Sequence, residues 1–129
     1  MSAMSDFLEL KILDHVLGTS AYTYPSQTYI GLSTGSFADS GTGSSEISGS
    51  SYARVAINFD AASGGTTDNS AVVDFPTASG SWGACSHWGL FDASSSGNLL
   101  IHGAFTAAKT IASGDILRIA AVELDITAA

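Results

Sequence analysis

Positive charge is scarce in this chain. Lys11, Arg54, Lys109 and Arg118 are its only cations, set against 12 carboxylates, for a formal net charge of −8. Binding to a phosphate backbone draws on clustered Lys and Arg that displace counterions, and no such cluster exists here. Nucleic acid is therefore not expected as a partner. The acidic balance also repels an anionic lipid surface, so no membrane partner is expected; it favours solubility, or a basic patch on a protein partner. Cysteine is nearly missing too. Cys85 stands alone, which excludes an internal disulfide, and the alternation around it suggests a buried structural thiol. No apolar run approaches the roughly eighteen residues of a membrane-spanning helix. The opening MSAMSDFLELK carries Asp6 with no apolar stretch before it, so a signal peptide is not expected and the chain reads as made and folded in the cytoplasm.

Charged residues of both signs amount to 12%, about half the usual share. Gly, Ser, Ala and Thr fill the difference. A surface of short hydroxylated side chains loses little rotamer entropy when an interface freezes it, which suits assembly. The apolar fraction of 45% supplies a packed core, and 129 residues suit a single domain spanning 1–129 that buries roughly two thirds of its unfolded surface.

What is present is organised by period. Over residues 5–17, apolar side chains fall at Leu8, Ile12, Leu13, Val16 and Leu17, one stripe of a helix. Ser5 suits the N-cap, Asp6 and Glu9 the positive end of the dipole, His15 the negative end, and Gly18 the left-handed position beyond the last turn. After Gly18 the period drops to two. Residues 28–34, 52–59, 71–75, 85–91 and 99–105 read as strands, separated by Pro, Gly and Ser clusters about ten residues apart. In the segment 52–59, Ala53, Val55, Ile57 and Phe59 would face inward. Near the C-terminus Leu117 and Ile119 share one parity, and Val122, Leu124 and Ile126 the other, which calls for a bulge or corner near Ala120–Ala121. The connections are mostly too short for parallel crossovers. The expected fold is mainly β: one antiparallel β-sandwich over 28–127, jelly-roll-like, preceded by one N-terminal α-helix.

Chemistry is thinly represented. The nucleophile-elbow, phosphate-loop, dinucleotide and zincin patterns are all missing, and Glu9, Glu46 and Glu123 are too scattered to suggest a glycosidase pair. Cys85, His87 and His102 could form a zinc site, with His87 on the face of Cys85 and His102 opposite, but no CxxC or HxxxH spacing supports one; two locally satisfied histidines and a core thiol are the simpler reading. Asp39, Glu46, Asp60 and Asp68 could hold calcium if their loops converge, or could simply be solvated. No catalytic residue, metal or cofactor is expected. Trp82, between Gly80 and Gly83, reads as an exposed contact or as ordinary packing.

The order of segments resembles a family of small tailed-bacteriophage virion proteins. The matching stretches are LDHVLGTSAYTYPSQTYIGLST, YARVAINF, NSAVVDFPTASGSWGACSHWGLFDASSSGNLLIHGAF and the closing LDI, most of the chain. Proteins of that family are labelled tail-fibre protein or capsid cement protein. The resemblance implies a β-sandwich, self-association and no catalytic residues to carry over. The leading expectation is a capsid cement (decoration) protein on the outer surface of the phage head. There it would act as a homotrimer that binds the major capsid protein and stabilises the assembled lattice. The alternative is a tail or tail-fibre component that binds a host receptor or glycan, and a third class is a hydrolase with an unrecognised Ser/His/Asp site. Size favours cement, because a fibre usually carries a shaft of repeats or heptads. The residues expected to touch the partner are Leu8, Ile12 and Val16 on the helix, Asp39 and Glu46 in the 35–51 loop, and Trp82.

Overall fold

Two long strands carry the architecture of the computed structural model, which describes residues 2–41 and 45–128. In chain order the elements are β1 (Ser2–Met4), α1 (Asp6–Val16), β2 (Thr28–Ser33), β3 (Val55–Ile57), β4 (Thr66–Asp68) and β5 (Val73–Asp74). They continue with β6 (Gly83–Phe91), β7 (Leu99–Ile111), β8 (Arg118–Ile119) and β9 (Asp125–Thr127). Strands β6 and β7 form the central hairpin of an antiparallel five-stranded sheet ordered β1-β7-β6-β2-β3. Two ribbons, β4-β9 and β5-β8, are also antiparallel.

The core lies between the sheet and the ribbons. Ile30, Leu32, Ile57, Cys85, Trp88, Leu90 and Ile111 project from the sheet. They meet Val73, Phe75, Leu117, Ile119, Leu124 and Ile126, which lie on and beside the ribbons. This is the sandwich that period-two alternation demands when one face of each strand must leave water. The opposite face of the sheet carries a smaller apolar cluster of Phe37, Phe91 and Leu99. Gly89 lets that cluster sit close to the backbone: a Cβ there would lie 2.9 Å from Leu99 and 3.2 Å from the Phe37 ring.

The helix forms where its caps dictate. Ser5 is the N-cap, its Oγ accepting from the Leu8 N–H while its hydroxyl donates to the Leu99 carbonyl. Ser5 is fully buried, so one side chain both starts the helix and ties it to β7. Ser5→Ala is expected to cost about 1–2 kcal/mol, at the upper end for a lost N-cap because the Leu99 carbonyl also loses its donor. Urea unfolding would measure this, and a loss below about 0.3 kcal/mol would contradict it.

The corner expected near Ala120–Ala121 is present. Between β8 and β9 the chain turns through Val122 at φ +57, leaving one ribbon for the other, and Asn69 holds the turn. Its Nδ2 donates to the Ala71 and Ala120 carbonyls at 2.9 and 2.8 Å, and its Oδ1 accepts from the Leu124 N–H at 2.9 Å. Leu117 and Ile119 before the corner and Leu124 and Ile126 after it all reach the core; Val122 at its apex does not.

Strand lengths differ from the sequence reading. The 52–59 segment pairs with β2 only over Val55–Ile57, because Tyr52 and Arg54 leave the ladder to bind Glu46, and Ala53 is exposed. The 71–75 strand shrinks to Val73–Asp74. Conversely, β7 runs on past residue 105 to Ile111, since Gly83–Cys85 supplies partners for Lys109–Ile111 beyond a bulge. Strand β1, too short to show a period, covers the outer edge of β7.

Candidate functional site

A half-buried ion pair fastens the outer face of the sheet. Arg54 Nε and Nη2 donate to Glu46 Oε2 and Oε1, each at 2.8 Å, a fork-to-fork geometry that a guanidinium alone offers. Arg54 Nη1 donates to the carbonyls of Ala93 and Ser96 at 3.1 and 2.8 Å, and the guanidinium lies 3.5 Å over the Phe91 ring. Tyr52 donates from its hydroxyl to Glu46 Oε2 at 2.8 Å and accepts from the Leu32 N–H. Burial, reinforced by the Glu46 carboxylate, pushes the Tyr52 hydroxyl well above the ordinary phenol range, so it stays a donor. A glycine is required beneath this network, because a Cβ at Gly31 would stand 2.8 Å from Glu46 Oε2. The 45–47 segment, the approach to β3, the 93–98 turn and the sheet are thereby held as one piece. Sequence reading placed Glu46 on a contact loop; the structure spends its charge inside the fold.

The remaining candidates separate in the same way. Trp82 is buried at 4% exposure, not an exposed contact. Its ring packs edge-on against Tyr52 and Phe75, at 5.4 and 6.4 Å between centroids, and its Nε1 donates to the Ser50 carbonyl. The flanking glycines, which suggested a loop tip, instead let the chain turn the indole inward. Leu8 is buried and Ile12 half-buried, both on the face that α1 turns to the sheet, so Leu8 is packed inside the fold and Ile12 keeps only part of its surface. Val16 is exposed as expected. Asp39 is exposed and bonded to His102 Nε2 at 2.7 Å. Of the expected loop contacts, residues 42–44 of the 35–51 loop lie outside the described residues.

The histidines do not converge on the thiol. The bulge between Cys85 and His87 puts Cys85 in the core and turns His87 to the outer face. There it shares a side with His102, because His87 opposes Ala104 and Gly89 opposes His102. This reverses the expected pairing of faces. Burial pushes the Cys85 thiol above its ordinary value. Ser86 Oγ and His87 Nδ1 lie 2.7 Å apart, while Asp39 binds His102; among the described residues no one histidine joins both a serine and a carboxylate. Nor do three or more His, Cys, Asp or Glu side chains gather there as a metal-binding group. Asp39 and Glu46 belong to separate pairs and do not meet in a calcium site.

Two surface ion pairs add a modest pH dependence. The Arg118 hydrogen bond holds Asp74 below the usual carboxylate range. Burial of Glu123 acts upward but is outweighed by the Ala120 N–H and Lys109, so its carboxyl is also lowered. Depressed folded-state values mean that their stabilisation is complete above the unfolded carboxylate pKa, about 4, and is lost as pH falls through the folded values. The melting temperature should therefore decline below pH ~4, and Asp74→Asn should lessen the decline slightly. A melting temperature flat down to pH ~2 would contradict this.

Five of the eight exposed large apolar side chains among the described residues lie on α1 or just beyond it. Leu10, Leu13, Val16 and Leu17 along α1 are 64, 56, 71 and 73% exposed, and Tyr24 just beyond is 81% exposed. Segment 18–22 folds back on the helix through Tyr22 N–H to His15 Nδ1, Thr19 to Asp14, and an edge-on Phe7–Tyr22 contact. An apolar cleft of about 230 Å³ opens beside it, between Leu8, Tyr22 and Pro25 on one side and Leu90, Leu100 and Ile101 on the other. Sequence periodicity found the helix, and of the stripe it offered as a contact, Leu8 is buried, Ile12 half-buried and Val16 exposed. The signal of the exposed stripe is the spacing of Leu10, Leu13 and Leu17, which lie opposite Leu8 and Ile12.

Compared with known families, the chain is matched over residues 3–127 by the model described as Gp80, podophage GP4 fiber I protein gp80. No curated protein matches it.

Proposed function

Since the chain belongs to the podophage GP4 fiber I protein gp80 family, a family of phage virion proteins, we propose that it is a non-enzymatic structural component of the fibre, located on the tail side of the particle. The match across residues 3–127, to a family described by its fibre, carries this reading. It supports the tail-fibre alternative over the capsid-cement expectation. The lack of a shaft, which had favoured cement, loses its force where a fibre is assembled from more than one chain: a compact module then needs no heptads of its own.

The disposition of polar groups fits a scaffold. Glu46, Arg54, Tyr52, Asn69 and Ser5 all spend their hydrogen-bonding capacity on joining segments. Among the described residues no buried side-chain nitrogen or oxygen lacks a partner. Such a module transmits position and load, and its contacts with the outside run through the apolar face of α1 and its neighbourhood.

Virions assembled without this chain should keep the rupture temperature of their heads and lose adsorption to the host. A lowered rupture temperature with normal adsorption would return the chain to the capsid surface, because a clamp that binds only the assembled lattice adds its binding free energy to the closed shell.

A further inference from the structure

Helix α1 has an unpartnered seam. Leu8 and Ile12 face the sheet, and on the other side Leu10, Leu13 and Leu17 follow one another at spacings of three and four, with Val16 beside them. That alternation is the one by which two helices pack side by side. Four large aliphatic side chains, each more than half exposed, form a contiguous patch that water covers poorly.

Charge decides what covers it. The residues flanking the seam include Glu9 and Asp14, both exposed. A second copy of this chain would bring the same carboxylates to the contact, with Lys11 the one Lys or Arg of the helix to set against them. Arg54 is spent on Glu46, Lys109 on Glu123 and Arg118 on Asp74. Lys11 sits over the Phe7 ring of its own helix, 5.6 Å from the centroid. Like charges opposed across a helix pair select against that pairing, and opposite charges select for it. We infer that the Leu10–Leu13–Leu17 seam receives an amphipathic helix of a different protein, with an apolar stripe flanked by Lys or Arg. The inference does not depend on where in the virion the chain sits.

The test uses the full chain and two synthetic amphipathic peptides that share one leucine seam, flanked by lysine in the first and glutamate in the second. Fluorescence anisotropy should show binding of the lysine-flanked peptide alone. That binding should weaken roughly tenfold or more with Leu13→Asp, as for loss of a central apolar anchor, and also on raising salt from about 0.05 to about 0.5 M. Glu9→Lys should narrow the preference between the peptides. Both positions are exposed, so the variants keep the fold, which far-ultraviolet circular dichroism checks; Leu10→Ser serves as a second seam variant. Equal binding of the two peptides, or binding of neither, overturns the inference. So does self-association of the chain in sedimentation velocity that Leu13→Asp abolishes, since it would give the seam to a second copy.

Discussion

Arg54→Ala should destabilise the protein by about 3 kcal/mol, the lower end of the range for removing one partner of a buried ion pair, because Arg54 and Glu46 are half-buried. That is a large part of the 5–15 kcal/mol that holds a typical domain folded. The loss has three sources. Glu46, only partly exposed, would be left with one hydroxyl donor, Tyr52, in place of a guanidinium fork. The Ala93 and Ser96 carbonyls would lose their common donor, freeing the 93–98 turn. Phe91 would lose the cation stacked on it, a further contribution of about 0.5–2 kcal/mol that overlaps the others. Arg54→Lys should recover less than half, because an ammonium cannot present two parallel N–H groups to Glu46 while also reaching two carbonyls. Replacing both Arg54 and Glu46 by apolar residues should be milder than Arg54→Ala, since no charge is then left stranded. Urea unfolding of the three variants decides the matter. An Arg54→Ala loss below about 1 kcal/mol would show the pair to be no more than a surface contact.

Trp82→Ala is the second large effect, at about 3–5 kcal/mol. The indole fills the junction of Tyr52, Phe75 and the 50–51 turn. Its removal opens a cavity, breaks two edge-on ring contacts and leaves the Ser50 carbonyl with the Ser79 N–H alone. Trp82→Phe should retain most of the packing and cost about 1–2 kcal/mol, mainly through the lost hydrogen bond. The comparison also separates two roles for this residue. A core tryptophan gives a variant with a lowered melting temperature whose surviving folded fraction binds the lysine-flanked peptide normally. A variant with unchanged stability and lost binding would restore Trp82 to the contact surface.

The parts of the fold that were legible in the sequence are those where a local rule and the tertiary contacts agree. The helix was readable because Ser5, the first-turn carboxylates and Gly18 mark its ends. The corner at 120–124 was readable because a change of parity in a half-buried chain has few remedies. Strand ends were less readable: β7 extends where β6 happens to supply a partner, and the 52–59 strand is cut short by an ion pair back to Glu46 that the period-two pattern does not encode. Asn69 sits at the end of a polar loop, and nothing in its neighbourhood announces that it holds a distant corner. The exposed apolar stripe of α1 was half visible. Helical spacing alone cannot say which of two apolar stripes meets the sheet, and Ser5, bonded to Leu99, fixes that rotation. Trp82 stayed open between exposed contact and ordinary packing because glycines serve both exposed loops and tight inward turns; the structure shows the packing.

The most direct test of the fibre assignment is the number of copies of this chain per virion, measured by quantitative mass spectrometry against the major capsid protein. Fibres are closed cyclic assemblies of low order, whereas a capsid lattice repeats the same site hundreds of times. A fibre component should be present at a few to a few dozen copies. Hundreds of copies, in fixed ratio to the capsid subunit, would contradict the fibre assignment and place the chain on the head.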